Sequence, residues 1–190
     1  MQRIDRNIFF TLYRAKFGRL RQSQVDAINY LIDCFEQSKL INRISEFAYI
    51  LATIKHETAE TYEPIEELGG WYYFKYLIGK LGIKTLREAN LYKGRGYVQL
   101  TGKINYAVFT NLLGIDLISF PERAQEHETA WKILEIGMYE GKFTGKDLDD
   151  YITNTKRDYW NARRIINGTD RASLIAGYAD KFYDMLEWVK

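Results

Sequence analysis

Apolar residues recur along most of this chain with a helical period. Between Ser23 and Phe35, the residues Val25, Ile28, Ile32 and Phe35 return at intervals of three and four, with Ser23 and Asp26 placed as an N-cap pair. A second helix is expected after Asn42, burying Phe47, Ile50, Leu51 and Ile54. Further helices are expected over Ala130 to Tyr139, over Asp158 to Ile166 with a stop at Asn167-Gly168, and over Ala172 to Trp188. The middle breaks the period. From Gly94, GRGYVQLTG reads as a turn feeding a short strand, in which Tyr97, Gln99 and Thr101 share one face and Val98 and Leu100 the other. An ordinary hairpin with a polar outer face is the plain alternative. Pro64 and Pro121 sit in loop or helix-start positions, and no linker, repeat or low-complexity stretch occurs. The pattern predicts one mainly α domain over residues 1–190, with the glycine-rich middle as its irregular part.

Composition narrows the chemistry. Fifteen tyrosines and four tryptophans exceed what a core of this size needs, and amphipathic aromatic faces pack well on sugar rings. Cys34 stands alone, so no internal disulfide forms, which fits a reducing compartment. The start of the chain lacks the pattern of a secretory signal, and no apolar run is long enough to span a membrane, so stable membrane insertion is not expected. Net charge is only +2 but unevenly placed. Arg3, Arg6, Arg14, Lys16, Arg19 and Arg21 face Asp5 alone near the start, whereas His56 to Glu67 carries glutamates and neither Lys nor Arg. A basic flank suits an anionic surface polymer, though a solvated helix face is the preferred explanation. No nucleic-acid motif accompanies it.

The glutamates are not equivalent. Glu57 continues the stripe Phe47, Ile50, Ile54, at the C-terminal end of an apolar helix face. Partial burial and the negative helix end both disfavour its charged form, the direction a general acid needs. Pairing with Lys55 or a backbone amide is the bland alternative. Glu66 and Glu67 lie between Pro64 and Gly69-Gly70, in a loop expected to turn back over the end of that helix and keep a carboxylate wet and ionised. One buried acid and one solvated base suit inverting glycoside hydrolysis if the carboxyls stand about 6.5–9.5 Å apart, and a retaining route if about 5 Å. Gln99 can bond a sugar amide or hydroxyl, and Thr101 the attacking water.

Metal and nucleophile chemistries fit poorly. His56-Glu57 begins like a zinc-protease helix, but Glu60 stands where its second histidine would be, and His127 is the only other histidine. The same shortage weakens Cys-His or Ser-His catalysis by Cys34 or a serine. The second HETA, His127 to Ala130, reads as an exposed helix start.

Taken in order, the HET segment with its Pro and Glu pair, GRGYVQLTGKINY and RRIING resemble the landmarks of glycoside hydrolase family 19, the chitinase-like enzymes that include phage endolysins. The resemblance runs roughly from Ile44 to Tyr183, and FGRLRQSQVDAINYLID is similar to the leading helix of the endolysin-type members. It implies a two-lobed, lysozyme-like, mainly α fold (α+β, with a small β-hairpin at a central cleft) and an inverting mechanism without metal or cofactor. It makes Glu57 the acid and places the base at Glu67 or Glu66. Thr101, Gln99, Asn105 and Tyr106 fall on the water- and substrate-holding strand, and Arg164 and Asn167 on the cleft turn. Tyr97 stands where the family carries proline, as a changed sugar contact or a strand residue. The expected protein is a monomeric peptidoglycan hydrolase, an endolysin cutting the glycan β-1,4 bond. It would be stored in the bacterial host cytoplasm until a separate holin-like protein opens the membrane. A chitinase and a non-catalytic wall-binding or virion component are the alternatives; an amidase or peptidase is disfavoured by the few histidines.

Overall fold

The structure is a computed structural model that describes residues 3–189. Among them are eight α-helices: α1 (Arg6–Phe17), α2 (Gln22–Gln37), α3 (Ile44–Glu57), α4 (Leu86–Leu91), α5 (Lys103–Leu113), α6 (His127–Tyr139), α7 (Tyr159–Ala162) and α8 (Ala172–Tyr183). Two short strands, β1 (Ile65–Glu66) and β2 (Arg95–Gly96), form one antiparallel pair. The expected mainly helical class is what is found, with a small two-stranded antiparallel sheet whose strands are distant in sequence in place of a hairpin. The chain divides into two compact units, Met1–Tyr62 with Glu135–Lys190, and Glu63–Leu134.

In the first unit α3 is the core. Every residue from Ser45 to Lys55 is buried, as expected of a helix that is apolar on most sides. Phe47, Ile50, Leu51 and Ile54, the expected inner face, are fully enclosed, each stabilising the fold by about 1.5–3 kcal/mol. Phe47 stacks on Phe35 of α2 at 4.3 Å between ring centres, and α8 packs along the same helix. The Tyr159 hydroxyl donates to the Ser45 carbonyl at 3.0 Å, tying α7 to the first turn of α3. Asp5 caps α1 by accepting from the Ile8 amide.

The boundaries of α2 and α8 differ from expectation. Helix α2 begins at Gln22, and Gln24 closes its first turn by accepting from the Arg21 amide at 2.9 Å; Asp26 instead accepts from the Gln22 side chain. Helix α8 stops at Tyr183, short of Trp188, because the last residues fold back into a bridge with Ile4, in which the Val189 amide donates to the Arg3 carbonyl and the Glu187 carbonyl accepts from the Asp5 amide.

In the second unit β1 and β2 pair Ile65 with Gly96 and Glu66 with Arg95. Helix α5 packs Tyr106 and Phe109 inward, and a one-turn 3-10 helix at Tyr73–Leu77 buries Phe74 and Leu77. Helix α6 starts at His127, on an exposed turn as expected, three residues before the periodic pattern.

The GRGYVQLTG segment corrects the sequence reading. The strand comes first and the turn second: Arg95 and Leu100 exchange both backbone hydrogen bonds, at 3.2 and 2.8 Å, across a tight loop. Gly96 (φ +84°) and Gln99 (φ +54°) supply the left-handed backbone that closes it. Tyr97, Val98 and Leu100 therefore all point inward, and the expected alternation is absent.

Candidate active site

Glu57 closes α3 in the first unit, where the helix passes from full burial to the surface. Its side chain keeps 16% exposure, and its Oε1 accepts from Arg163 Nη1 at 2.6 Å. Arg163 is only 3% exposed and also donates from Nε to the Asp170 carbonyl at 3.1 Å, so its guanidinium is fixed at two points. The apolar setting read from the stripe is thus half the picture; a buried cation completes it. His56 beside it is lowered by burial and by the nearby Arg163 and Arg171, against the pull of Glu57 and Asp170.

The turn after Glu57 is strained. Ala59, Glu60 and Tyr62 all have positive φ, at 48°, 66° and 61°, each costing of order 1–3 kcal/mol. It is held by the Thr58 hydroxyl, which donates to Ile54 and accepts from the Tyr62 amide, and by a 2.7 Å contact between the Tyr62 and Tyr13 hydroxyls. Glu60 pairs with buried Lys55 at 3.1 Å.

RRIING behaves otherwise than expected. Helix α7, capped by Asp158, gives way to a 3-10 turn over Arg163–Ile165, which turns Arg163 inward and leaves Arg164 on the surface. Arg164 donates to the Asn161 side-chain oxygen, at 3.3 Å. Exposed Asn167 accepts from the next amide, that of Gly168. Arg163, the residue in contact with the candidate acid, was the one not singled out.

In the second unit the Glu66-Glu67 pair is divided by the strand. Glu66 lies opposite Arg95 and accepts from Arg95 Nε at 2.8 Å and from Lys93 Nζ at 2.6 Å. Partial burial works against its charge, but the two cations outweigh it and hold the carboxyl below its ordinary value. Glu67 faces neutral donors instead: Oε1 accepts from the Tyr76 hydroxyl at 3.0 Å, and Oε2 from the Gly94 amide at 3.3 Å. The Tyr76 hydroxyl is pushed up by burial and by that carboxylate.

Around Glu67 the expected residues form a hydrogen-bonded series. Gln99 donates its side-chain amide to the Ile65 and Gly96 carbonyls, both at 3.2 Å, pinning the turn against β1. Thr101 Oγ1 donates to the Gln99 carbonyl at 2.8 Å, and Asn105 Nδ2 to the Thr101 carbonyl at 2.8 Å. With its proton so committed, Thr101 Oγ1 offers lone pairs to a water. A Cβ on Gly94 would fall 2.8 Å from Gln99 Oε1 and 3.1 Å from Glu67 Oε2, so only glycine lets these two side chains meet there.

Two expected sugar contacts are not surface groups. Tyr97 is fully buried with its hydroxyl 3.0 Å from His127 Nδ1, and His127 Nε2 lies 3.2 Å from Glu63. Tyr106 is fully buried, donates to the Lys93 carbonyl and accepts from Arg95 Nη1; burial lifts its hydroxyl to about 12. Tyr106 thus supports Arg95, the partner of Glu66, whereas Tyr97 belongs to the His127–Glu63 group. Among the described residues no group of three His, Cys, Asp or Glu side chains is placed to hold a metal ion.

No family model matches this chain, and no curated protein matches it by sequence. Solved structures do match it. Chitinase C from Streptomyces griseus superposes with a TM-score of 0.57 at 17% identity, over 94% of this chain and 74% of that one. A chitinase C mutant gives 0.54 at 20%, over 96% and 90%. A bacterial family 19 chitinase gives 0.52 at 17%, over 94% and 92%. The fold is that of the family 19 chitinases, lysozyme-like and mainly helical.

Proposed function

We propose that this protein is a glycoside hydrolase that cleaves the β-1,4 glycan bond of peptidoglycan by inverting acid–base catalysis, with Glu57 as acid and Glu67 as base. The observation that carries it is the division of the glutamate pair. Among the described residues Glu66 is taken up by two cations, whereas Glu67 accepts from neutral donors, the Tyr76 hydroxyl and the Gly94 amide. In this reading Glu67 removes a proton from a water that Thr101 helps to orient, and the oxygen attacks the anomeric carbon. Glu57 passes its proton to the departing sugar oxygen. A carboxyl that donates its proton cannot at that moment be the anion of an ion pair, so the cycle includes opening of the Arg163 contact. Gln99 and Asn105 lie in the same hydrogen-bonded series and would bond sugar hydroxyls or amides. No metal or cofactor takes part.

The biological setting follows from the same reading. A monomeric endolysin held in the bacterial cytoplasm, reaching the wall when a separate holin-like protein permeabilises the membrane, fits the resemblance of its leading helix to endolysin-type members. Chitin oligomers are the rival substrate, favoured by the names of the matching structures.

The test is mass spectrometry of fragments from purified peptidoglycan, run in parallel with chitin oligomers. New reducing ends on wall glycan, lost in Glu57→Gln and Glu67→Gln and largely retained in Glu66→Gln, are expected. Cleavage of chitin alone would transfer the reading to a chitinase. Wall binding without new reducing ends would make the protein a non-catalytic wall component, and equal minor losses at Glu66 and Glu67 would sink the two-carboxylate scheme.

A further inference from the structure

The second unit carries, beyond Tyr76, a cationic and apolar face to which the proposed hydrolysis assigns no role. From Leu68 to Arg87 the sequence holds Lys75, Lys80, Lys84 and Arg87 and no carboxylate. All four cations are exposed, and the ion pairs of this region run instead through Lys93, Arg95 and Lys103. Large apolar groups are interleaved with them: Leu68 is 89% exposed, Trp71 55% and Tyr72 77%, exposures that a folded chain seldom gives to side chains of this size without a use.

The face continues onto α5. Ile104, Val108 and Leu112 recur every fourth residue along that helix and all are exposed, an apolar stripe whose first residue lies against the Gly82 turn. Leu81, also exposed, joins this stripe to the loop, since its carbonyl accepts from the Ile104 amide at 3.1 Å. The preceding residue, Lys80, sets its ammonium 5.7 Å from the centre of the Tyr76 ring, which lies 6.0 Å from that of Tyr73. Tyr73, Tyr76, Lys80 and Leu81 thus join the aromatic row to the start of the aliphatic stripe.

The chemistry of that surface sorts its occupants. A neutral glycan would stack on the aromatic rings but leave four cations without a partner and an aliphatic helix stripe in water. A nucleic acid would use the cations and not the stripe. The headgroup region of an anionic bilayer uses all three, with lipid phosphates at the lysines, Trp and Tyr at headgroup level, and Leu and Ile at the acyl boundary. We propose that this face adsorbs to the surface of an anionic lipid bilayer. The contact is peripheral, because no helix among the described residues is long and apolar enough to cross a membrane. Adsorption would hold the protein at the membrane independently of any catalytic event.

The full-length chain is sedimented with mixed phosphatidylglycerol–phosphatidylcholine vesicles and with pure phosphatidylcholine vesicles, at low and high salt. Binding to the mixed vesicles alone, weakened by salt, is expected. Replacing one cation, as in Lys80→Gln, should weaken it about five-fold. Ile104→Glu with Val108→Glu should abolish it while circular dichroism and wall hydrolysis stay unchanged. The blue shift of emission on adsorption should disappear in Trp71→Phe. Equal binding to neutral vesicles, or indifference to both Lys80→Gln and the α5 double variant, would overturn the proposal. So would a Trp71 signal that answers to soluble wall glycan and not to vesicles, which would assign the face to carbohydrate. Because none of the four substituted residues, Trp71, Lys80, Ile104 and Val108, is among the hydrogen-bond partners of Glu57 or Glu67, failure here leaves the hydrolase reading standing, and loss of hydrolysis leaves this one standing.

Discussion

Removing the Arg163 guanidinium should destabilise the fold far more than removing its neighbour's. Arg163 is 3% exposed, its partner carboxyl 16%, and the two meet at 2.6 Å, so Arg163→Met strands a mostly buried carboxylate and frees the Asp170 carbonyl as well. Breaking one side of a buried pair costs about 3–5 kcal/mol. The residual exposure of Glu57 places this pair near the lower figure, about 3 kcal/mol. For a chain of this length that is a fall in Tm of roughly 6–12 °C. Arg164→Met, at an exposed position with one long hydrogen bond, should stay within about 0.5 kcal/mol of the parent. The assay is urea and thermal unfolding followed by circular dichroism on four proteins: parent, Arg163→Met, Glu57→Gln and the double variant. If the contact is the main role of Arg163, the double variant is less destabilised than the sum of the singles, with a coupling of about 2 kcal/mol. Equal losses at Arg163 and Arg164, or a coupling below about 0.5 kcal/mol, would refute the reasoning.

Other outcomes follow from the second unit. Gly94→Ala should lower hydrolysis at least ten-fold while costing less than about 1 kcal/mol of stability, because the added methyl meets side-chain atoms of Glu67 and Gln99 and no backbone; a matching loss in both measurements would count against it. Gly96→Ala should instead cost several kcal/mol in unfolding experiments, since φ is +84° and the Ala124 carbonyl oxygen would lie 2.9 Å from the new carbon; a neutral result would contradict the tight turn. Glu66 has a folded value below its ordinary 4.5, so the stability it contributes is complete above pH 4.5 and disappears as pH falls through the lower folded value. Melting curves of the parent should therefore drop more steeply below pH 4.5 than those of Glu66→Gln, and parallel curves would remove the two cations from the argument.

The helical core and the position of Glu57 were legible because one period governs both. The stripe that buries Phe47, Ile50 and Ile54 ends on Glu57, and a helix leaves no freedom about which face that is. Arg163 was not legible, because the change from α7 to a 3-10 turn shifts the angle between successive residues and decides which of two adjacent arginines turns inward. Tyr97 was misplaced by assuming strand alternation where two positive-φ residues make a turn. Tyr106 carried a usable signal, since Tyr106 and Phe109 repeat at helical spacing on α5. The split between Glu66 and Glu67 could also have been anticipated. Lys93 and Arg95 are two residues apart, so in an extended segment both ammonium and guanidinium lie on one side and select one glutamate of a neighbouring pair.

That selection makes the identity of the base a matter of counting residues. The pairing of Glu66 with Arg95 is an alignment of two short strands, and moving β1 by one position would exchange the outlooks of the two glutamates. Insertions between Thr61 and Pro64 leave the alignment untouched, whereas a single deletion between Pro64 and Glu66 would bring Glu67 opposite Arg95 and the side chain of Leu68 to the place the base now holds. The ion triad at Glu66 thus works as a ratchet stop on the chain. It spends one carboxylate so that the next one faces the water.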